Sequence, residues 1–169
     1  MNIIDNFDDS EDEIEEDTKK DKYLLFSIDN EEYGIEIAFL KEIICMQKIT
    51  EVPNMEDYIK GVINLRGKII PVIDVRIRFN LNFKPYHDRT CIIIVNLNNT
   101  NIGLIIDSVS EVVIIPENNM EPSPKTNKIG KTNFIKSMGK IAGKVKIILN
   151  IENILTNQDL EQINENESK

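Results

Sequence analysis

The stretch Tyr58–Phe79 reads YIKGVINLRGKIIPVIDVRIRF. Two apolar runs, Val62–Leu65 and Ile69–Ile73, flank Arg66-Gly67-Lys68, and β-rich runs split by a glycine predict a hairpin. Gly67 takes positive φ at little steric cost and suits the turn. Pro71 has no N–H for a ladder, which places it at a sheet edge or a bulge. Arg66 then stands at the hairpin tip, a poor position for it if the hairpin only filled a core.

The rest of the chain repeats this plan. Shifted by 69 residues, YLLFSIDNEEYGIEIAFLKEIICM (23–46) falls without gaps on IIIVNLNNTNIGLIIDSVSEVVII (92–115). Gly34 meets Gly103 and Glu42 meets Glu111. Shifted by 76, YIKGVINLRGKIIPVID (58–74) falls on FIKSMGKIAGKVKIILN (134–150), so that Ile59, Lys60, Gly67 and Lys68 meet Ile135, Lys136, Gly143 and Lys144. The change of offset is a seven-residue insertion in the second linker, Pro116–Asn133, whose Pro, Asn, Lys and Thr content reads as a long loop. Each half has a hairpin turning at Asp29-Asn30 or Asn98-Asn99, then a third strand containing Ile43–Met46 or Val112–Ile115. The glycine-tipped hairpin follows, and then a short helical piece, Asp74–Phe79 or Ile151–Leu155. The fold class is mainly β: two similar five-stranded β-barrel subdomains from an internal duplication, with short helices. Small closed barrels limit exposed edges; a β-sandwich has the same strand count. The halves run roughly over 23–79 and 90–156, with intertwining of the two allowed.

Repetition separates structural residues from specialised ones. Gly67 recurs as Gly143 and reads as part of the turn. Arg66 becomes Ala142 and Asn64 becomes Lys140, so neither side chain is demanded by the hairpin. Glu42 recurs as Glu111, and its local reading is structural, yet it is placed to pair with Arg66 across the first barrel.

The formal net charge of −9 is uneven. Residues 1–22 carry about −7 and residues 159–169 about −3, which leaves the body near neutral. A near-neutral body with few aromatics lacks the basic face and stacking surface of a nucleic-acid binder, although a small-barrel nucleic-acid-binding protein is the alternative that this fold class offers. DDSEDEIEED (8–17) is too polar and like-charged to bury, so residues 1–22 read as a disordered acidic tail and 157–169 as a polar one. The N-terminus has no signal-peptide pattern, and no apolar run spans a bilayer. A cytoplasmic chain with no direct membrane insertion is expected.

Catalytic and metal chemistry lack parts. GKT (130–132) has Lys125 where a phosphate-binding loop needs its first glycine. GxSxG, HExxH and CxxC are absent, and His87 is the single histidine, read as a loop residue. Asn98-Asn99-Thr100 and Asn166-Glu167-Ser168 match glycosylation acceptors, which carry no meaning in a cytosolic chain. Cys45 and Cys91, far apart in sequence, read as reduced core residues. No catalytic residues, metal or cofactor are expected, and the protein is read as a non-enzyme.

The pieces EEYGIEIAFLKEI, IKGVINLRG and IIPVIDVRIRF, continued by IGLIIDSVSEVV (102–113) and FIKSMGKIAGKVKIILNIENIL (134–155), resemble the CheW family of bacterial chemotaxis scaffolds. The resemblance covers about residues 23–156. It implies a two-barrel fold and an adaptor joining the cytoplasmic tip of methyl-accepting chemoreceptors to the regulatory domain of the histidine kinase CheA. It also implies recruitment to membrane-associated arrays and a monomer in isolation. A CheW-like regulatory module within another chemotaxis complex is the nearest alternative. For the receptor groove the resemblance and the asymmetry together point to Glu42, Ile43, Asn64, Leu65 and Arg66, with Val95 and Ile106 opposite. Leu40, Met46 and Gly61 are the kinase-facing candidates. The family's Pro-x-Pro element, Pro122-Ser123-Pro124 here, is flanked by Glu121 and Thr126 rather than by a basic residue and an aromatic, so ring closure with the kinase is expected to use other residues.

Overall fold

The computed structural model describes residues 19–123 and 134–155. The readings of residues 1–18, 124–133 (with Thr126 and GKT) and 157–169 fall outside the described residues.

Among the described residues eleven strands make two sheets. In chain order they are β1 (Lys22–Ile28), β2 (Glu31–Glu36), β3 (Leu40–Cys45), β4 (Ile59–Leu65), β5 (Lys68–Asp74), β6 (Cys91–Leu97), β7 (Thr100–Ile106), β8 (Ser108–Ile114), β9 (Met120–Pro122), β10 (Ile135–Ile141) and β11 (Lys144–Leu149). A short helix α1 (Val75–Arg78) follows β5, and a 3-10 turn at Ile151–Asn153 follows β11. The five-stranded sheet runs β3-β6-β7-β5-β4 and the six-stranded sheet β8-β1-β2-β11-β10-β9.

The turns form where the sequence places them. Asp29 and Asn30, and Asn98 and Asn99, all take positive φ. Two successive left-handed residues make the turn whose twist matches that of the strands it joins. The repeat holds to the level of register. Val72 on β5 faces Gly103 on β7 in a parallel pairing, and Ile148 on β11 faces Gly34 on β2 in the same way. Leu40 faces Val95, and Val109 faces Phe26. The ladder slips at Ile59/Gly61 in one hairpin and at Ile135/Ser137 in the other.

These pairings cross between the repeats. β5 of the first half bonds β7 of the second, and β2 of the first bonds β11 of the second. The five-stranded unit is therefore the continuous span 40–106, while the six-stranded unit is built from both ends of the chain. The strand beyond the expected five is β9. It pairs with β10 where, in the other unit, a lone bridge joins Thr50 to Val62.

Of the two expected positions, a sheet edge or a bulge, Pro71 is not at the edge, since β5 lies between β7 and β4, but it does lie beside a bulge. Opposite it, Val62 spends its N–H and its carbonyl on Thr50 (2.9 and 2.8 Å), so this pair lacks ladder bonds, and pairing with β7 starts only at Val72. The missing N–H therefore costs no ladder bond. Gly61 forms the adjoining bulge with φ +142°, and a Cβ there would lie 2.1 Å from the Thr50 carbonyl oxygen.

Two apolar clusters result. Ile63, Leu65, Ile70, Val72, Ile92 and Ile94 fill the inside of the five-stranded unit. The larger cluster unites repeated positions of the two units: Leu24 with Ile93, Phe26 with Val95, Ile35 with Leu104, Ile73 with Leu149. Full burial of each such side chain contributes about 1.5–3 kcal/mol, so this seam holds the units together.

Candidate partner-docking site

The β4–β5 turn is made by Arg66 (φ +51°) and Gly67 (φ +84°), and its copy by Ala142 (φ +50°) and Gly143 (φ +77°). A non-glycine residue in the left-handed region costs about 1–2 kcal/mol. Alanine bears that cost equally, so the backbone does not select arginine. Asn64 supports the turn: its Oδ1 accepts from the Gly67 N–H at 2.9 Å. Asn64→Ala is expected to lower stability by about 0.5–1 kcal/mol, the usual net worth of one hydrogen bond. A urea midpoint checks it.

Arg66 is 71% exposed and donates from Nη2 to Glu42 Oε1. Glu42 lies on β3 and Arg66 at the tip of β4–β5, and β3 and β4 are the two ends of the sheet order. The Thr50–Val62 bridge and the ion pair both reach between the parts of the sheet that carry β3 and β4. An exposed pair adds only about 0–1 kcal/mol, so its main effect is to orient the guanidinium. Ile69, 60% exposed, stands directly across the ladder from Asn64, and Ile43 on β3 is 42% exposed. The tip thus presents an oriented cation, a carboxylate, a carboxamide and unpartnered apolar surface.

Three expected groove residues lie elsewhere. Leu65 is buried inside the five-stranded unit. Val95 and Ile106, 0% and 1% exposed, belong to the seam between the units, so the space assigned to a groove opposite Arg66 is filled at these positions. Of the kinase-facing candidates, Leu40 and Met46 are half-buried, and Gly61 is buried under Thr50. Glu121 pairs with Lys140 at 2.6 Å. His87 serves its own loop, its Nδ1 accepting from the Arg89 N–H at 3.0 Å. The cysteines also differ from the expected separate core residues: Cys45 is exposed, and Cys91 faces it across β3 and β6.

A second polar constellation was not anticipated. Arg76 on α1, with its side chain 7% exposed, donates from Nη1 to Asp29 Oδ1 at 2.9 Å and from Nη2 to Asp107 Oδ2. The Asp29 N–H also donates to Asp107 Oδ2 at 2.9 Å. One buried guanidinium thus ties the β1–β2 turn to the β7–β8 junction and to the end of β5. Asp74 caps α1 by accepting from the Ile77 N–H, and Tyr86 donates to its other oxygen at 3.0 Å. Burial, then the Asp74 carboxylate beside it, pushes the Tyr86 hydroxyl far above its usual range, so it stays a donor. Arg76 and its partners border a polar cleft of about 980 Å³, with acids and bases mixed along its walls. Because its central arginine is already paired twice, the cleft reads as a structural joint. Among the described residues no group of three or more His, Cys, Asp or Glu is placed to hold a metal ion, and no helix is long and apolar enough to cross a membrane.

Comparison with known proteins agrees with this architecture. Residues 22–159 match the family model described as a CheW-like domain. The chain is 32% identical over 144 residues to the chemotaxis protein CheW of Klebsiella aerogenes, covering 85% of this chain and 87% of that one. It is 40% identical over 105 residues to CheW of Bacillus subtilis, covering 62% and 67%. The crystal structure of the scaffolding protein TtCheW from Thermoanaerobacter tengcongensis superposes with a TM-score of 0.76 at 36% identity, covering 82% of this chain and 94% of that one. With two duplicated, strand-exchanged β units and a match that spans nearly all of both, the chain belongs to the CheW family of chemotaxis scaffold proteins.

Proposed function

We propose that this chain is a non-enzymatic adaptor that couples the cytoplasmic tips of chemoreceptors to the regulatory domain of the kinase CheA, acting in the cytoplasm at membrane-associated arrays. The observation that carries the reading is Arg66. It is exposed, held by Glu42 on a turn fixed by Asn64, and absent from the otherwise faithful copy of that turn. A cation held in one orientation beside exposed Ile43 and Ile69 suits the polar and apolar face of an amphipathic helix, and receptor tips are helical in the chemotaxis systems this family serves. Leu65 supports the tip from inside the five-stranded unit, while Val95 and Ile106 serve the seam between the units. The kinase-facing surface is β3 and its continuation, where Leu40 and Met46 are half-buried on a strand bonded on one side to β6, with the Gly61 bulge nearby.

Co-sedimentation with receptor fragments and kinase tests both contacts. The wild-type chain is expected to bring both partners into one pellet. Met46→Glu is expected to weaken kinase recovery by roughly tenfold, the effect of placing an unpaired charge in an apolar contact, and to leave receptor binding unchanged. A wild-type chain that recruits neither partner overturns the adaptor reading. Equal loss of both partners with Met46→Glu overturns the separation of the two surfaces.

A further inference from the structure

Cys45 and Cys91 lie 46 positions apart in the chain and opposite one another in the last rung of the β3–β6 ladder. Directly opposed residues of an antiparallel pair project from the same face, with Cβ atoms about 4.5–5.5 Å apart. A disulfide closes at a Cβ separation of about 3.5–4.5 Å. The remaining gap is small, and β3 is placed to close it: it ends the sheet order and is bonded along one side only, to β6. The repeat shows that the pair is not a requirement of the fold, since the same rung in the other unit holds Lys22 opposite Ile114. The two thiols also differ in kind. Cys45 is exposed. Cys91 is half-buried, and its thiol is pushed up by burial and then by Cys45 beside it.

We propose that Cys45 and Cys91 are a cross-strand thiol pair that low-molecular-weight disulfides convert to an intrachain disulfide. In the first step the exposed Cys45 thiolate attacks one sulfur of a small disulfide, forming a mixed disulfide and releasing one small thiolate. Cys91 then gives up its proton and attacks Cys45 Sγ, forming the Cys45–Cys91 bond and releasing the second thiolate. The chain loses two electrons and two protons, and the small disulfide becomes two thiols. The bond joins the edge strand that carries Glu42 to its neighbour at the rung nearest its end. Exposed disulfides are among the readily reduced ones, and this bond would close at the exposed Cys45 on an edge strand.

The test uses the full chain, reduced and then exposed to glutathione disulfide under native conditions. Remaining thiols are alkylated after denaturation and the intact mass is read. The expected result is a fall from two alkylatable thiols to none, a chain lighter by two hydrogens, unchanged migration as a single chain on a non-reducing gel, and full reversal by dithiothreitol. Cys45→Ser and Cys91→Ser are each expected to abolish the intrachain product, and Cys45→Ser to slow reaction with the small disulfide by at least tenfold because the exposed thiol is the entry point. Two free thiols after treatment, or mixed disulfides or cross-linked chains as the final product, overturn the proposal.

Discussion

Arg66→Glu is expected to leave the protein folded and to weaken receptor binding by roughly thirtyfold, the factor that corresponds to about 2 kcal/mol at a central arginine contact. The fold should survive because the lost ion pair is exposed, and reversing one charge beside Glu42 adds a repulsion that water screens. The turn itself is indifferent to the side chain, as Ala142 in the copied hairpin demonstrates. Binding should fall because both charges at the tip become negative and the oriented donor is gone. Arg66→Ala is expected to lose less, since it removes the donor without adding repulsion. Thermal melting and co-sedimentation of the same preparations check the two halves of the statement. A thermal midpoint unchanged to within a few degrees with full receptor recovery would remove Arg66 from the docking site. Unfolding would make it structural.

How much of this was legible in the sequence follows from which interactions are local. The turns at Asp29-Asn30, Asn98-Asn99 and Arg66-Gly67 are set by residues adjacent in the chain, and so are the two offsets that align the halves. Partner choice is not local. β2 and β7 are copies, as are β5 and β11, so the apolar pattern accepts pairing within a half as readily as the observed pairing between halves. Alternation also fails where a strand is covered on both faces. β6 is buried at four consecutive positions because one face fills its own unit and the other faces the seam, and Val95 at the seam gave no signal that set it apart from a groove residue. The Cys45–Cys91 rung was hidden for a different reason: it depends on the register of two strands separated by the whole β4–β5 hairpin. Arg76 sits in VRIR, which reads as a solvated helix face until β1–β2 and β7–β8 are brought against it. One signal was present. Arg76 meets Glu152 under the 76-residue offset, the same kind of asymmetry that singled out Arg66.

Arg76→Met tests that buried arginine as a fastener between the two units. Methionine keeps much of the apolar stem and removes the cation, so the change isolates the charge. Deleting one member of a buried ion pair generally costs about 3–5 kcal/mol because it strands the partner. Asp29 and Asp107 are 43% and 30% exposed, and water can reach them once the guanidinium is gone. The expected loss at pH 7 is therefore smaller, about 2–3 kcal/mol, or a fall in thermal midpoint of roughly 4–12 °C for a chain of this size. Acidification supplies the second half of the test. Hydrogen bonds from Arg76, and then from Lys84, hold the Asp29 carboxyl below the usual carboxylate range. A carboxyl depressed in the folded state stabilises the protein above its unfolded pKa, near pH 4, and that contribution fades as pH falls through the folded value. Wild type should thus lose this contribution on acidification, while the variant, in which Asp29 has lost its first partner, has less to lose. Urea unfolding at pH 7 and pH 3 should show the widest gap between the two proteins at pH 7 and a narrower one at pH 3. Glu32, likewise held down by Lys146, titrates in both proteins and cancels in the comparison. Lys84→Met serves as control: its side chain is 61% exposed, and its removal should move stability by no more than about 0.5 kcal/mol. A gap of the same size at both pH values would mean that Arg76 does not fasten the units through the ionised Asp29 carboxylate.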